Sequence, residues 1–224
     1  MYLSRFVLSR DPSVAALNAL LDPDQSGNQM DAHHRLIWSA FAGDPNAKRD
    51  FLWREDGQGA FLVQSPEPPQ GSPFFEPVEV RVHAPDLKAG DRLAFLLRAN
   101  ATRDLRGENR SRKRVDVVMK LLHGVPKSER DERRMDLADQ AAQEWLTGQG
   151  ARAGFNVDRV EVQDYSTVTL PSHRGKRKAA PRFGILDLTG QITVSDPDAF
   201  LAKLAQGFGR AKGFGCGLML IRRN

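Results

Sequence analysis

One order of segments occurs twice along this chain. Short apolar or alternating runs read as strands at residues 2–9, 51–53, 60–65 and 78–82, with a helix at 29–41 following the first. Alternation over four to eight residues marks a half-buried strand, whereas apolar spacings of three and four mark an amphipathic helix. The leader "DPDQSGNQ" supplies turn and helix-starting residues ahead of that helix. The stretch "SPEPPQGSP" holds four prolines, which remove backbone donors and forbid a long helix between the third and fourth strands. The first half is thus a βαββαβ unit whose second helix is degraded.

After "APDLKAGD" the order restarts. "DRLAFLLRANAT" is a strand, the basic "RGENRSRKR" a turn or open loop, and 115–119 a short strand. The pattern Ser128-x-x-Asp131 opens a helix running to about residue 149, with Met135, Ala138, Ala142 and Trp145 on one face. Strands are expected at 157–163, 167–170 and 183–193, then a helix from Asp196 to 206, and a last strand at 216–221. The expectation is an α+β chain of two tandem ferredoxin-like (RRM-like, βαββαβ) domains, at 1–84 and 91–224, joined by a linker at 85–90. A length of 224 residues accommodates two such domains of roughly 100 residues each.

Charge points to the partner. Residues 98–114 carry seven cations and two acids, 165–182 five cations and no acid, and 207–224 four and none. The net charge is +5, so the remainder of the chain is acidic and the cations lie in three patches. Such patches suit a nucleic-acid backbone; the lesser alternative for any one of them is a solvated loop. No apolar stretch approaches the roughly 18 residues that span a bilayer, and the N-terminus lacks a signal-peptide core; a cytoplasmic protein without membrane contact is expected. The single cysteine, Cys216, excludes an internal disulfide and a cysteine-rich zinc cluster.

The segment "GFGRAKGFGCGLMLI" joins glycines to two cations. Gly207, Gly209, Gly213 and Gly215 permit a backbone nest whose N–H groups bind an anion, with Arg210 and Lys212 adding charge; the alternative is a tight turn packed on the sheet. The spacing is not that of a nucleotide-binding P-loop. In the first helix Leu36, Ala40, Ile37, Met30 and Phe41 form an apolar face. His33 points at its middle, where a packing histidine belongs, and His34 lies at its edge. Adjacent helical residues diverge by about 100°, so the pair does not readily share a metal.

Four stretches, taken together and in order, resemble the CRISPR-associated CasE endoribonucleases of type I-E systems: "MYLSRFVL"; "HHRLIW" followed by "RDFLWR"; "LAFLLRAN"; and the terminal "GFGRAKGFGCGLM". The family has two ferredoxin-like domains, in agreement with the pattern. The resemblance implies metal-independent cleavage of CRISPR repeat stem-loop RNA by attack of a ribose 2′-OH. The product stays bound, and the protein joins the other subunits of the Cascade complex. No metal and no small-molecule cofactor are implied. The family's catalytic histidine falls on His34, and Lys212 matches a family lysine. A family tyrosine three residues before the histidine is replaced by Asp31, which either tunes His34 by raising its pKa or serves as a first-turn acid. The basic tip Arg174, Lys176, Arg177 and Lys178 resembles the hairpin that docks on the repeat stem; Arg112 and Lys113 are auxiliary backbone contacts or solvated loop. The rival expectation is a non-catalytic subunit that holds an RNA hairpin, which Asp31 keeps open. A metal-dependent nuclease is disfavoured, since carboxylates do not cluster with histidines in the sequence.

Overall fold

The computed structural model describes residues 1–41, 49–106, 112–171 and 180–223. Its first half contains β1 (Tyr2–Val7), two short helices α1 (Pro12–Ala15) and α2 (Asn18–Leu21), and α3 (Ser26–Ser39). Strands β2 (Leu52–Gly57), β3 (Ala60–Ser65) and β4 (Glu79–Val82) follow. The strands form one antiparallel sheet in the order β2-β3-β1-β4. That is the ferredoxin-like order, and the proline-rich stretch between β3 and β4 carries no helix, as its missing donors require. One face of the sheet packs on α3 through Phe6, Phe61, Trp53, Leu36 and Ile37.

The second half contains β5 (Arg92–Ala99), β6 (Thr102–Arg106), β7 (Arg112–Asp116), α4 (Val117–Leu122) and α5 (Arg134–Ala153). It continues with β8 (Phe155–Thr169), β9 (Arg182–Val194), α6 (Pro197–Gln206) and β10 (Met219–Arg223). Its sheet has the same order, β10-β5-β9-β8, and β6 and β7 pair separately. The core lies between this sheet and α5, around Phe95, Leu146, Phe155, Leu188 and Phe200. The chain is therefore two tandem ferredoxin-like units. Among the described residues no helix is long and apolar enough to cross a membrane.

Several local expectations are corrected. The apolar run at 115–119 is not a strand: β7 ends at Asp116, whose carboxylate accepts from the Val118 and Met119 N–H groups and starts α4. A short apolar run fits either state, and the cap decides it. Arg112 to Arg114 belong to β7 rather than to an open loop. Ser128 lies in a 3-10 turn, Lys127–Glu129, and α5 begins at Arg134 without a side-chain cap. Met135 is accordingly 39% exposed, while Ala138, Ala142 and Trp145 are buried. The two strands expected at 157–163 and 167–170 are one strand, bent by irregularities at Val157/Arg159 and Val162/Asp164. Buried Tyr165, which donates to Asp116 at 3.1 Å, carries the pairing through the expected break. The last strand starts at Met219, after Gly217 at φ 96°. Helices α1 and α2 were not anticipated, being too short to show a period.

Candidate active site

Helix α3 carries both histidines and turns them apart. His33 is 1% exposed, with Nε2 2.9 Å from Asp22 Oδ1 and its ring edge-on to Phe61 at 4.7 Å. It is part of the core. His34 is half-buried on the neighbouring face, among the rings of Trp38 (6.4 Å), Phe51 (6.3 Å) and Phe214 (6.2 Å). Phe214 belongs to the second half, in the 3-10 turn Lys212–Phe214 of the glycine-rich loop. A methyl group on Gly213 would stand 3.7 Å from His34 Cε1, so the turn lies directly against the imidazole. The Trp53 indole donates to the Gly213 carbonyl at 3.2 Å, tying the turn to β2.

The imidazole is held below its ordinary pKa, first by burial and then by the charges of Arg49 and Arg35; Asp31 opposes them. Asp31 raises the pKa, as expected of a carboxylate there, but desolvation and the cations outweigh it. The Asp31 carboxylate accepts from Arg35 at 2.6 Å, one helical turn on. His34 Nδ1 is buried without a hydrogen-bond partner among the described residues. Lys212 donates to the Gln206 carbonyl at 2.6 Å, at the C-terminal end of α6 where a cation is favoured. Burial, Lys203 and Arg49 lower its pKa, in that order.

The four candidate glycines divide. Gly207 ends α6 at φ 79°, and a methyl there would meet the Leu52 side chain at 2.8 Å. Gly209 is pressed on the Asn100 carbonyl, at 2.6 Å for an added methyl, and Gly215 on the Trp53 ring, at 3.2 Å. These three are set by packing inside the protein; Gly213 is the one at the His34 surface. Arg210 is exposed, its backbone bridged to Asn100. Lys113 is exposed in β7, and Arg112 is described there in its backbone alone. Arg174, Lys176, Arg177 and Lys178 lie outside the described residues; the flanking β8 and β9 are paired up to Thr169 and Arg182. No group of three or more His, Cys, Asp or Glu side chains suited to a metal ion occurs among the described residues.

Two residues were missed by sequence reasoning. Trp53 appears in the sequence only as an apolar strand position. Arg49 stands just before β2, donates to the Phe51 carbonyl at 2.6 Å and stacks 5.8 Å from the Phe51 ring centroid. Its charge acts on both His34 and Lys212. The Arg49 guanidinium thus acts both on the His34 imidazole and on the Lys212 ammonium, which is turned onto the Gln206 carbonyl, and the Asp31 carboxylate beside the imidazole is paired with Arg35. The arrangement suits a phosphodiester and the transfer of a proton at it.

A family model described as CRISPR associated protein matches residues 1–223. The Cascade subunit CasE of Escherichia coli K12 is 27% identical over 195 residues, covering 84% of this chain and 89% of that protein. Among solved structures, the CRISPR-associated protein Cas6e from the same organism is 22% identical with a TM-score of 0.65 over all of both chains. Thermus thermophilus Cse3, bound to an RNA representing a pre-cleavage complex, is 22% identical with a TM-score of 0.66, over 99% of this chain and 98% of that one. At such identities these two structures speak for the fold.

Proposed function

The chain belongs to the CRISPR associated protein family, as a CasE-type member, and from that premise we propose that it is an endoribonuclease. It binds the stem-loop of CRISPR repeat RNA, cuts it without a metal ion, and stays on the product as a subunit of a Cascade complex. The observation that carries the cleavage reading is the His34 imidazole lying against the Gly213 turn, 3.7 Å from where a methyl would sit, with cations beside it. The assembly reading is carried by the likeness to a Cascade subunit.

The ribose 2′-OH 5′ to the break attacks phosphorus. The O2′–P bond forms and the P–O5′ bond breaks, leaving a 2′,3′-cyclic phosphate and a 5′-hydroxyl. The 2′-OH proton must leave and the 5′-oxygen must gain one. His34, held neutral near pH 7, fits acceptance of the first proton. Lys212 and the backbone of the glycine turn oppose the charge that develops on the phosphate oxygens. The segment between β8 and β9 brings its cations to the stem backbone, since A-form RNA hides its base edges in a deep, narrow groove.

Cleavage of the cognate repeat hairpin in EDTA, with His34→Ala beside the wild type, tests this. The wild type is expected to give product, and the variant to lose about 10²- to 10⁴-fold in single-turnover rate while holding a 2′-deoxy hairpin as before. A wild type that binds the hairpin and leaves it intact would mark the non-catalytic subunit instead, the reading that the Asp31 carboxylate next to the site favours.

A further inference from the structure

We propose that Arg49 is a further catalytic residue, a cation that reaches the scissile phosphate along the Phe51 ring. The inference rests on reading His34 as the proton-transfer group. Arg49 is fixed twice to one residue, by its bond to the Phe51 carbonyl at 2.6 Å and by its stack on the Phe51 ring at 5.8 Å. Phe51 is itself 1% exposed and its ring stands 6.3 Å from that of His34. The guanidinium is therefore held along the aromatic wall that borders the imidazole, with little rotamer freedom left to lose.

A guanidinium has five N–H donors in a planar fork, and the Phe51 carbonyl takes one side of it. The other edge matches two phosphate oxygens. No ion pair joins Arg49 to a carboxylate among the described residues; the acid that acts on it is the neighbouring, exposed Asp50. A half-buried cation with no paired carboxylate among the described residues is desolvated at a cost, and the additional negative charge that grows on the phosphorane relieves it. The surrounding charges agree. His34 faces Asp31 and Arg35 from its own helix and Arg49 from the approach to β2. Lys212 faces Lys203 and Arg49. The cations Arg35, Arg49, Lys203 and Lys212 outnumber the two carboxylates, Asp31, which Arg35 already occupies, and exposed Asp50.

Donors aimed at a phosphorane gain strength as its charge grows, so the loss belongs in the rate and not in ground-state binding. The experiment compares wild type, Arg49→Gln, Arg49→Lys and His34→Ala in single-turnover cleavage of the repeat hairpin from pH 5.5 to 8.5. Affinity for the hairpin with a 2′-deoxy nucleotide at the cut and thermal unfolding are measured alongside. Arg49→Gln is expected to lose about 10²-fold or more in rate, with affinity for the 2′-deoxy hairpin changed by less than about threefold. Its His34 inflection moves to higher pH, because a neighbouring positive charge is gone. Arg49→Lys keeps that charge without the fork and lies between. A wild-type rate and unshifted inflection in Arg49→Gln overturn the inference, and so does a loss matched by equal losses in melting temperature and binding. An active His34→Ala overturns the His34 reading and this inference with it; an inactive His34→Ala beside an unimpaired Arg49→Gln overturns the inference alone.

Discussion

His33 and His34 are neighbours in sequence and differ in everything that decides their use. One is sealed against Phe61 and bonded to Asp22; the other meets the glycine turn. The difference was legible because helical spacing alone assigns the two side chains to the middle and the edge of an apolar face. Arg49 and Trp53 were not legible. Their partners, His34 and Gly213, are brought to them by folding, the second from 160 positions away. The depressed pKa of His34 carries a prediction of its own. The unfolded chain, with an imidazole near 6.5, binds this proton more readily than the folded one. Stability is therefore undiminished by this group above pH 6.5 and falls as the pH drops through 6.5 toward the lower folded value. Thermal unfolding at pH 7.5 and pH 5.5 is expected to show a smaller drop for His34→Asn than for wild type; equal drops would contradict the burial of a neutral imidazole.

At the scale of elements, α3 and the two sheets were readable because apolar periods of 3.6 and 2 run long enough in them to exceed chance. The boundary between β7 and α4 was not, since it depends on one carboxylate choosing the Val118 and Met119 N–H groups. Nor could the sequence indicate how closely α3 lies on β8. Buried Gly27, in the first turn of α3, faces the end of β8 so tightly that an added methyl would sit 2.0 Å from the Thr169 carbonyl oxygen. Met30, a turn further along α3, joins Val168, Ile185 and Cys216 in a small core between the two halves. Burial there pushes the Cys216 thiol up to about 12, which fits an inert packing group. On an exposed helix, glycine to alanine gains about 1 kcal/mol. At Gly27 the obstacle is backbone, so either the helix or the β8–β9 arm must move. Gly27→Ala is expected to lower the melting temperature and, by moving His34 against the Gly213 turn, to slow single-turnover cleavage about tenfold or more. Unchanged melting and rate would show that the arm yields without disturbing the helix.

At the scale of the molecule, neither half holds the candidate site alone. The first supplies His34 and Arg49, the second Lys212 and the glycine turn, so their relative placement is itself a catalytic parameter. That placement is fixed by the close contact of Leu52 with Gly207, the bond from Gln64 to the Leu204 carbonyl at 3.2 Å, and the Trp53 indole on the Gly213 carbonyl. The last of these touches the site directly and can be removed without emptying the core, because phenylalanine keeps a ring against Phe61 and Gly215. Trp53→Phe costs one part-buried hydrogen bond, about 1 kcal/mol of stability. If the indole serves only the fold, cleavage follows the fraction folded and is normal well below the melting temperature. If it holds the turn against His34, as the 3.2 Å bond indicates, the single-turnover rate falls several-fold at temperatures where the variant is fully folded. Affinity for the 2′-deoxy hairpin is then expected to stay near wild type, since the cations proposed to grip the stem lie elsewhere in the chain. Rate and affinity measured side by side on this one variant separate a molecule that merely binds RNA with two domains from one that needs both of them in register to cut it.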